Sequence, residues 1–334
     1  TTSQFRWGIL GTGWIAGDFA AALMTMPEAI VHAVGSRSQG GAEAFADKFG
    51  IPNRYGSYEA LVADEAIDIV HVATPHPFHC EHVLLALQHG KAVLCEKPFT
   101  LNAAEAKRVI DYARFRGIFL MEALWGRFVP GQVKLRELLA QNAIGSVQSL
   151  IAGFASKKEY DPANRYFNPA LGGGALLDVG VYPLNLASMV LGVPSEVHGF
   201  AHIGRTGVDE YMGALLKYAN GGIASIHASI VTRSPREALI TGSEGYIKVH
   251  STLSNPPAVT LGRHGEDEQV FHTAYEGWGF VFEATEVMRC LRKGLTESPV
   301  MPLDETLQIM QTMDTLRAQW RLTYPGEKSA FDLP

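Results

Sequence analysis

The stretch Phe5-Arg6-Trp7-Gly8-Ile9-Leu10-Gly11-Thr12-Gly13-Trp14-Ile15-Ala16 decides the architecture of the chain. Its first six residues, nearly all apolar, read as a buried strand, and a GxGxxA pattern follows at once and opens a helix-like run from Ala16 to Thr25. Strand, glycine turn and helix in that order are the setting a dinucleotide fingerprint requires. Gly11 permits the tight turn and Gly13 lets backbone approach a pyrophosphate. Ala16 is small enough for close helix-to-strand packing, and the helix N-terminus attracts the anion. Gly11, Thr12, Gly13, Trp14 and Ile15 are therefore candidate cofactor-binding residues.

The same alternation continues outward. Apolar runs at Ile30 to Ser36, Ile67 to Ala73, Ala92 to Glu96 and Ile118 to Ala123 read as strands. Gly41 to Phe49, His79 to His89 and Ala103 to Arg116 read as helices between them. Strands with so little polar alternation are covered on both faces, so the expected fold is α/β, an N-terminal doubly wound parallel sheet. After residue 124 the texture changes. A helix-like Gln132 to Gln141 leads into Ser146 to Ser156, Glu196 to Ile203, Tyr211 to Tyr218, Gly222 to Ile230, Arg236 to Thr241 and Gly245 to His250. Several of these alternate, which predicts a C-terminal α+β domain with a large open, mainly antiparallel sheet. Asn220-Gly221 predicts a hairpin, since both residue types tolerate positive φ. Phe280 to Leu322 returns to helical spacing. The expected division is 1–123 for a dinucleotide and 124–334 for substrate, and the family resemblance described below adds dimerisation to the second.

Composition excludes several classes. The 334 residues suit two domains, and 47% apolar with 19% charged residues supply ample core. A net charge of −6 without basic runs gives no phosphate-neutralising stripe, so no nucleic-acid partner is expected. No run approaches about 18 consecutive apolar residues and the first residues lack a signal-peptide pattern, so no membrane and a cytoplasmic location are expected. Three cysteines without CxxC spacing indicate neither a disulfide framework nor a zinc ribbon. His76, His79, Cys80, Glu81 and His82 are the one metal-like cluster; the expectation is no metal.

Cofactor choice is read at the end of the second strand, Val34-Gly35-Ser36-Arg37-Ser38, where no carboxylate stands to bond a ribose 2′-hydroxyl. A guanidinium beside hydroxyls suits a 2′-phosphate, so Ser36 and Arg37 predict NADP, with NAD possible. Lys97 in Cys95-Glu96-Lys97-Pro98 falls at the carboxyl edge of the sheet, as does Ala73-Thr74-Pro75-His76, where an open α/β sheet places its crevice.

The fingerprint, Thr74-Pro75-His76 with His79, Glu96-Lys97-Pro98, and the run from Gly172-Gly173-Gly174 through Asp178 to Tyr182 together resemble the Gfo/Idh/MocA oxidoreductases over nearly the whole chain. Many members carry histidine four residues after the aspartate. Tyrosine at 182 resembles the branch of sugar and dihydrodiol dehydrogenases, as do Trp125 and the segment from Pro302 to Trp320. The resemblance implies a Rossmann domain and a second domain whose open sheet forms a homodimer interface. It implies Lys97 and Tyr182 as the catalytic pair, and adds Thr74, Pro75, His79, Glu96 and Lys97 to the cofactor site. Tyr182 would be the base for the substrate hydroxyl, its phenol lowered from about 10 by the Lys97 ammonium. Asp178, four residues earlier, shares its face if the segment is helical and would orient the sugar or the tyrosine. Trp125 and Phe154 are candidate substrate walls. The implied substrate is an aldose oxidised at its anomeric carbon, or a related cyclic polyol or dihydrodiol. The competing classes are an NAD-dependent glycosidase of the same fold and a non-catalytic NADP-sensing regulator.

Overall fold

The computed structural model describes residues 4–327. Within them the contacts divide the chain at Trp125/Gly126. The first unit is the chain up to Trp125 together with Gly277–Leu307, and the second is Gly126–Glu276 together with the chain from Gln308 on. The segment Gly277–Leu307, which sequence places with the second domain, thus packs with the first unit.

In the first unit, β1 (Phe5–Leu10), β2 (Ala29–Gly35), β3 (Asn53–Tyr55), β4 (Ile69–Val72), β5 (Ala92–Glu96) and β6 (Leu120–Ala123) form a parallel sheet ordered β3-β2-β1-β4-β5-β6. That is the Rossmann order, with its switch point between β1 and β4. The helices are α1 (Trp14–Leu23), α2 (Gln39–Phe49), α3 (Tyr58–Val62), α4 (His79–Gln88) and α5 (Ala103–Arg116), and α8 (Phe280–Arg292) packs against α1. β4 and β5 are buried along their whole length, mostly apolar strands between two helical layers, with the polar exceptions His71 and Glu96 paired to each other. Sequence misses β3 and α3, whose three and five residues are too short to show a period.

In the second unit, α6 (Pro130–Ala140), β7 (Val147–Ala155), α7 (Val181–Leu191), β8 (Pro194–Ile203), β9 (Asp209–Tyr218), β10 (Ile223–Ser229), β11 (Ala238–Gly242), β12 (Gly245–Val249), β13 (Ala258–Arg263) and β14 (Gln269–His272) follow in order, and α9 (Leu303–Trp320), which starts in the first unit, belongs to the second from Gln308 on. The eight strands run β14-β13-β12-β11-β7-β10-β9-β8, antiparallel except for β7 with β10. β13 and β14 are not foreseen from sequence. β9 alternates buried and exposed residues along nearly its whole length, so one face of the sheet is core and the other is open. The hairpin at Asn220-Gly221 forms, but only Gly221 takes positive φ, at 87°. Pro169–Leu191 is long and apolar enough to cross a membrane by composition, yet 72% of its apolar window is buried inside the protein, the pattern of a core helix.

Candidate active site

At the carboxyl edge of the first sheet Gly11 has φ +113°, and a Cβ there would meet the Ala73 carbonyl oxygen at 2.8 Å. Only glycine fits this turn. Gly13 caps α1 in an extended conformation with no side-chain cap, and nothing lies within 4 Å of where its Cβ would be. The amide end of α1 therefore opens onto empty space, bordered by exposed Trp14 and half-buried Thr12 and Ile15, and Ala16 is buried behind it. This is the cradle a pyrophosphate needs. One strand over, Ser36 is buried and its amide bonds the Tyr55 carbonyl, while Arg37 is exposed. Burial raises the Tyr58 phenol's pKa, and the Arg37 charge beside it acts in the opposite sense.

The β4 and β5 ends are tied together by His79. Its ring is fully buried, with Nε2 2.7 Å from the Thr74 carbonyl oxygen and Nδ1 2.9 Å from that of Pro98. Burial lowers its pKa against the opposing pull of those carbonyls. Both ring nitrogens face backbone carbonyls, so His79 ties the two strand ends together from behind the edge. Thr74 Oγ1 lies 2.9 Å from Nδ1 of His82, a histidine pushed down to about 4 chiefly by burial. Among the described residues no group of three His, Cys, Asp or Glu side chains is placed to hold a metal.

The Glu96 carboxylate turns inward, 3.1 Å from Nε2 of fully buried His71, so the motif presents Lys97, half-buried, and its backbone at the edge. Beneath it lies Glu283 of α8, which sequence gave no reason to single out. Among the described residues neither of its oxygens has a hydrogen-bond partner, and burial, then the Glu96 charge, push it well above the usual carboxylate range. It is held neutral. Glu122 steadies the segment after Pro98 by accepting from the Phe99 amide and the Thr306 hydroxyl. Trp125 stands on Phe280 of α8, ring centroids 5.3 Å apart.

The second unit brings Asp178, Tyr182 and Phe154 together. Asp178 sits in a π-helical turn, Leu176–Gly180, that runs straight into α7 and Tyr182. Such wide turns inside helices mark functional sites disproportionately. Asp178 is buried and pairs with Arg165, Nη2 to Oδ1 3.2 Å. Phe154 is buried, its ring stacked on Tyr182 at 4.8 Å and 20°, and the Arg236 guanidinium lies 5.2 Å from the centre of the same ring. Phe154 is thus backing for the phenol more than an open wall. Ahead of the turn, Gly174 has φ +118°, and a Cβ there would lie 2.2 Å from Asp209 Oδ1. Asp209 Oδ2 accepts from the Leu176 amide at 2.7 Å, and the Tyr324 hydroxyl donates to the Gly173 carbonyl at 2.6 Å. Burial raises Asp209 to about 7 even though the Leu176 amide lowers it.

Residues 5–123 match the oxidoreductase family with an NAD-binding Rossmann fold, GFO_IDH_MocA, and residues 133–248 match the GFO/IDH/MocA C-terminal domain. The chain is 39% identical over 331 residues to a trans-1,2-dihydrobenzene-1,2-diol dehydrogenase of Mus musculus, covering 97% of this chain and 99% of the relative. To the Xenopus laevis protein of that name it is 40% identical over 332 residues, covering 96% and 99%. A solved 3-ketoreductase of Actinomadura kijaniata, in complex with NADP and TDP-benzene, superposes with a TM-score of 0.84 at 28% identity, covering 95% of this chain and 98% of that one. A levoglucosan dehydrogenase in complex with NADH shares the fold, with a TM-score of 0.88 at 20% identity over 95% and 96%.

Proposed function

Because the chain belongs to the Gfo/Idh/MocA oxidoreductase family, we propose that it is an NADP-dependent dehydrogenase of sugar or cyclic diol hydroxyls in which Tyr182 and Lys97 form the acid–base pair. The observation that carries this reading is the uncapped start of α1 over the open space at Gly13, which fits a dinucleotide pyrophosphate. The dihydrodiol dehydrogenase names of its relatives support the substrate class, and the NADP-bound ketoreductase supports the cofactor. Gly11, Thr12, Gly13, Trp14 and Ile15 would receive the pyrophosphate, and Ser36 with Arg37 the 2′-phosphate. Thr74, Pro75 and the backbone around Glu96 and Lys97 would border the nicotinamide. NAD is the weaker cofactor in this reading.

Oxidising a CH–OH group removes a hydride and a proton, and bound NADP would accept the hydride. The proton is the protein's task. Tyr182 takes it from the substrate hydroxyl. Lys97 favours the phenolate by its charge, which brings a group titrating near 10 toward neutral pH. The Asp178 carboxylate accepts a hydrogen bond from a second substrate hydroxyl, and Phe154 fixes the plane of the phenol by stacking. Trp125 supplies an apolar wall for the ring of a diol or pyranose.

Residues 1–123 would serve the cofactor and 124–334 the substrate and a dimer interface, with Gly277–Leu307 packing against the cofactor unit. The proposed partner is a second copy of this chain, seated on the open face of the second sheet. Phe200, Leu215, Ile151 and Leu239 project from that face, Phe200 being 87% exposed, and covering such side chains contributes about 25 cal/mol per Å². Cys80, Cys95 and Cys290 are buried free thiols, which suits the cytoplasm.

The test is absorbance at the reduced-nicotinamide band with trans-1,2-dihydrobenzene-1,2-diol, D-xylose, D-glucose and myo-inositol, each offered with NADP and with NAD. Turnover of a diol or aldose is expected, faster with NADP. Arg37→Ala should raise KM for NADP roughly 10–100-fold, the worth of one or two charge-assisted bonds at about 1.5–3 kcal/mol each. No nicotinamide reduction with any member would refute the dehydrogenase reading, and an unchanged KM in Arg37→Ala would remove Arg37 from the cofactor site.

A further inference from the structure

A carboxylate as buried as Asp178 needs a partner, because desolvation otherwise drives it to take up a proton. One such partner comes from a turn that no part of the dinucleotide or lysine motifs includes. Arg165 reaches Asp178 Oδ1 at 3.2 Å, and its guanidinium lies 4.2 Å from the centre of the Tyr166 ring, which also carries the Lys158 ammonium at 4.4 Å. The backbone around Arg165 is pinned by three hydrogen bonds. Asp161 Oδ1 and Asn164 Oδ1 accept from the Ala163 and Tyr166 amides, and the Tyr166 carbonyl accepts from the Gly174 amide at 2.9 Å. At Gly173 a Cβ would meet the Arg165 and Tyr166 carbonyl oxygens at 2.9 and 2.8 Å, so the turn and the glycine run lie backbone to backbone. A cation mounted this firmly against a buried acid loses little conformational freedom when it pairs.

We propose that Arg165 is a positioning residue of the oxidoreduction: it keeps Asp178 charged and aimed, so that Asp178 accepts a substrate hydroxyl and does not become a proton donor beside Tyr182. This rests on the role given to Asp178 above. The strands and helix packed against this turn, β7, β9, β10 and α7, do not supply this cation. β7 has none, and β10 has His227, which lies over Gly153 on the other face of the sheet. On β9, Asp209 reaches the Leu176 amide, Glu210 faces His202, and Lys217 pairs with Glu196. α7 adds only Tyr182.

The test compares wild type, Arg165→Met, Arg165→Gln, Arg165→Lys, Asp178→Asn and the Arg165→Met/Asp178→Asn double variant, using NADP and the best-used member of the screen above. Arg165→Met should lower kcat roughly 10–100-fold with the Kd for NADP within about twofold, and should move the acid limb of kcat/KM upward by about one pH unit or more. Arg165→Gln, uncharged but still a donor, should show the same displaced limb if the methionine variant folds poorly. Arg165→Lys should restore the wild-type limb. The double variant should have no displaced limb, because the group that titrates is gone. Without cofactor or substrate, Arg165→Met should lose Tm as pH rises through neutrality relative to the double variant. Arg165→Met and Arg165→Gln with the wild-type limb, or a limb displaced equally in the double variant, would overturn the role of Arg165. Wild-type kcat in Asp178→Asn would instead overturn the reading of Asp178, and the Tm comparison in the ligand-free protein would still decide whether Arg165 holds its charge.

Discussion

The dinucleotide edge of the first unit and the Asp178–Tyr182 turn of the second both depend on glycines, for opposite reasons. At Gly13 the backbone is ordinary, φ −74°, and nothing lies within 4 Å of the place of a Cβ, so the glycine leaves the end of α1 open. At Gly174 φ is +118° and the place of a Cβ is filled by Asp209; the residue is small because the protein itself occupies the space. The edge of the first sheet is left open at its glycine, whereas the Asp178–Tyr182 turn is clamped by side chains.

Exchanging the two kinds of glycine breaks the comparison if it is wrong. Gly13→Val should leave Tm within a few degrees of wild type but weaken NADP on the order of 100-fold, about 2.8 kcal/mol, measured by fluorescence titration. Gly174→Ala should do the reverse, lowering Tm through roughly 1–3 kcal/mol of backbone strain plus the displaced Asp209 carboxylate, with NADP affinity retained. If both variants lost the same property, the two regions would not differ as described.

How much of each region can be read from sequence follows from the same contrast. The first is local: strand, Gly11, Gly13 and helix are consecutive, so spacing alone carries the cradle. The clamp of the second is not. Tyr324 reaches Gly173 from 151 residues away and Asp209 reaches Leu176 from 33, and no periodicity announces either. Arg165 stands only 13 residues before Asp178, but a turn of asparagine, arginine and tyrosine looks like any solvated loop. The π-helical turn was equally hidden, since four-residue spacing from Asp178 to Tyr182 fits an ordinary helix. His79 shows a third case, in which the residue type was right for a crevice but burial turned its ring to backbone. Strands β3 and β14 escaped for want of length.

A smaller effect sharpens the account of the clamp. Asp209 has its pKa raised to about 7 from 3.8, so the native state holds a proton that the unfolded chain releases near pH 4. Its neutral form therefore contributes stability that is complete below about pH 4 and is lost as pH rises through about 7. Asp209→Asn keeps an acceptor for the Leu176 amide and cannot titrate. Its Tm should fall less than that of wild type between pH 4 and 7, with parallel curves above; parallel curves throughout would show that Asp209 does not titrate in this range.

The most direct test of the central claim is a double-mutant cycle on turnover with Lys97→Met, Tyr182→Phe and both together, at saturating NADP and with NADP affinity measured alongside. If ammonium and phenol act as one acid–base unit, each single change costs roughly 100–10,000-fold in kcat with NADP still bound, and the double variant is no worse than the slower single. Losses that multiply, or a single variant with near-normal turnover, would show that the two groups do not work on the same proton.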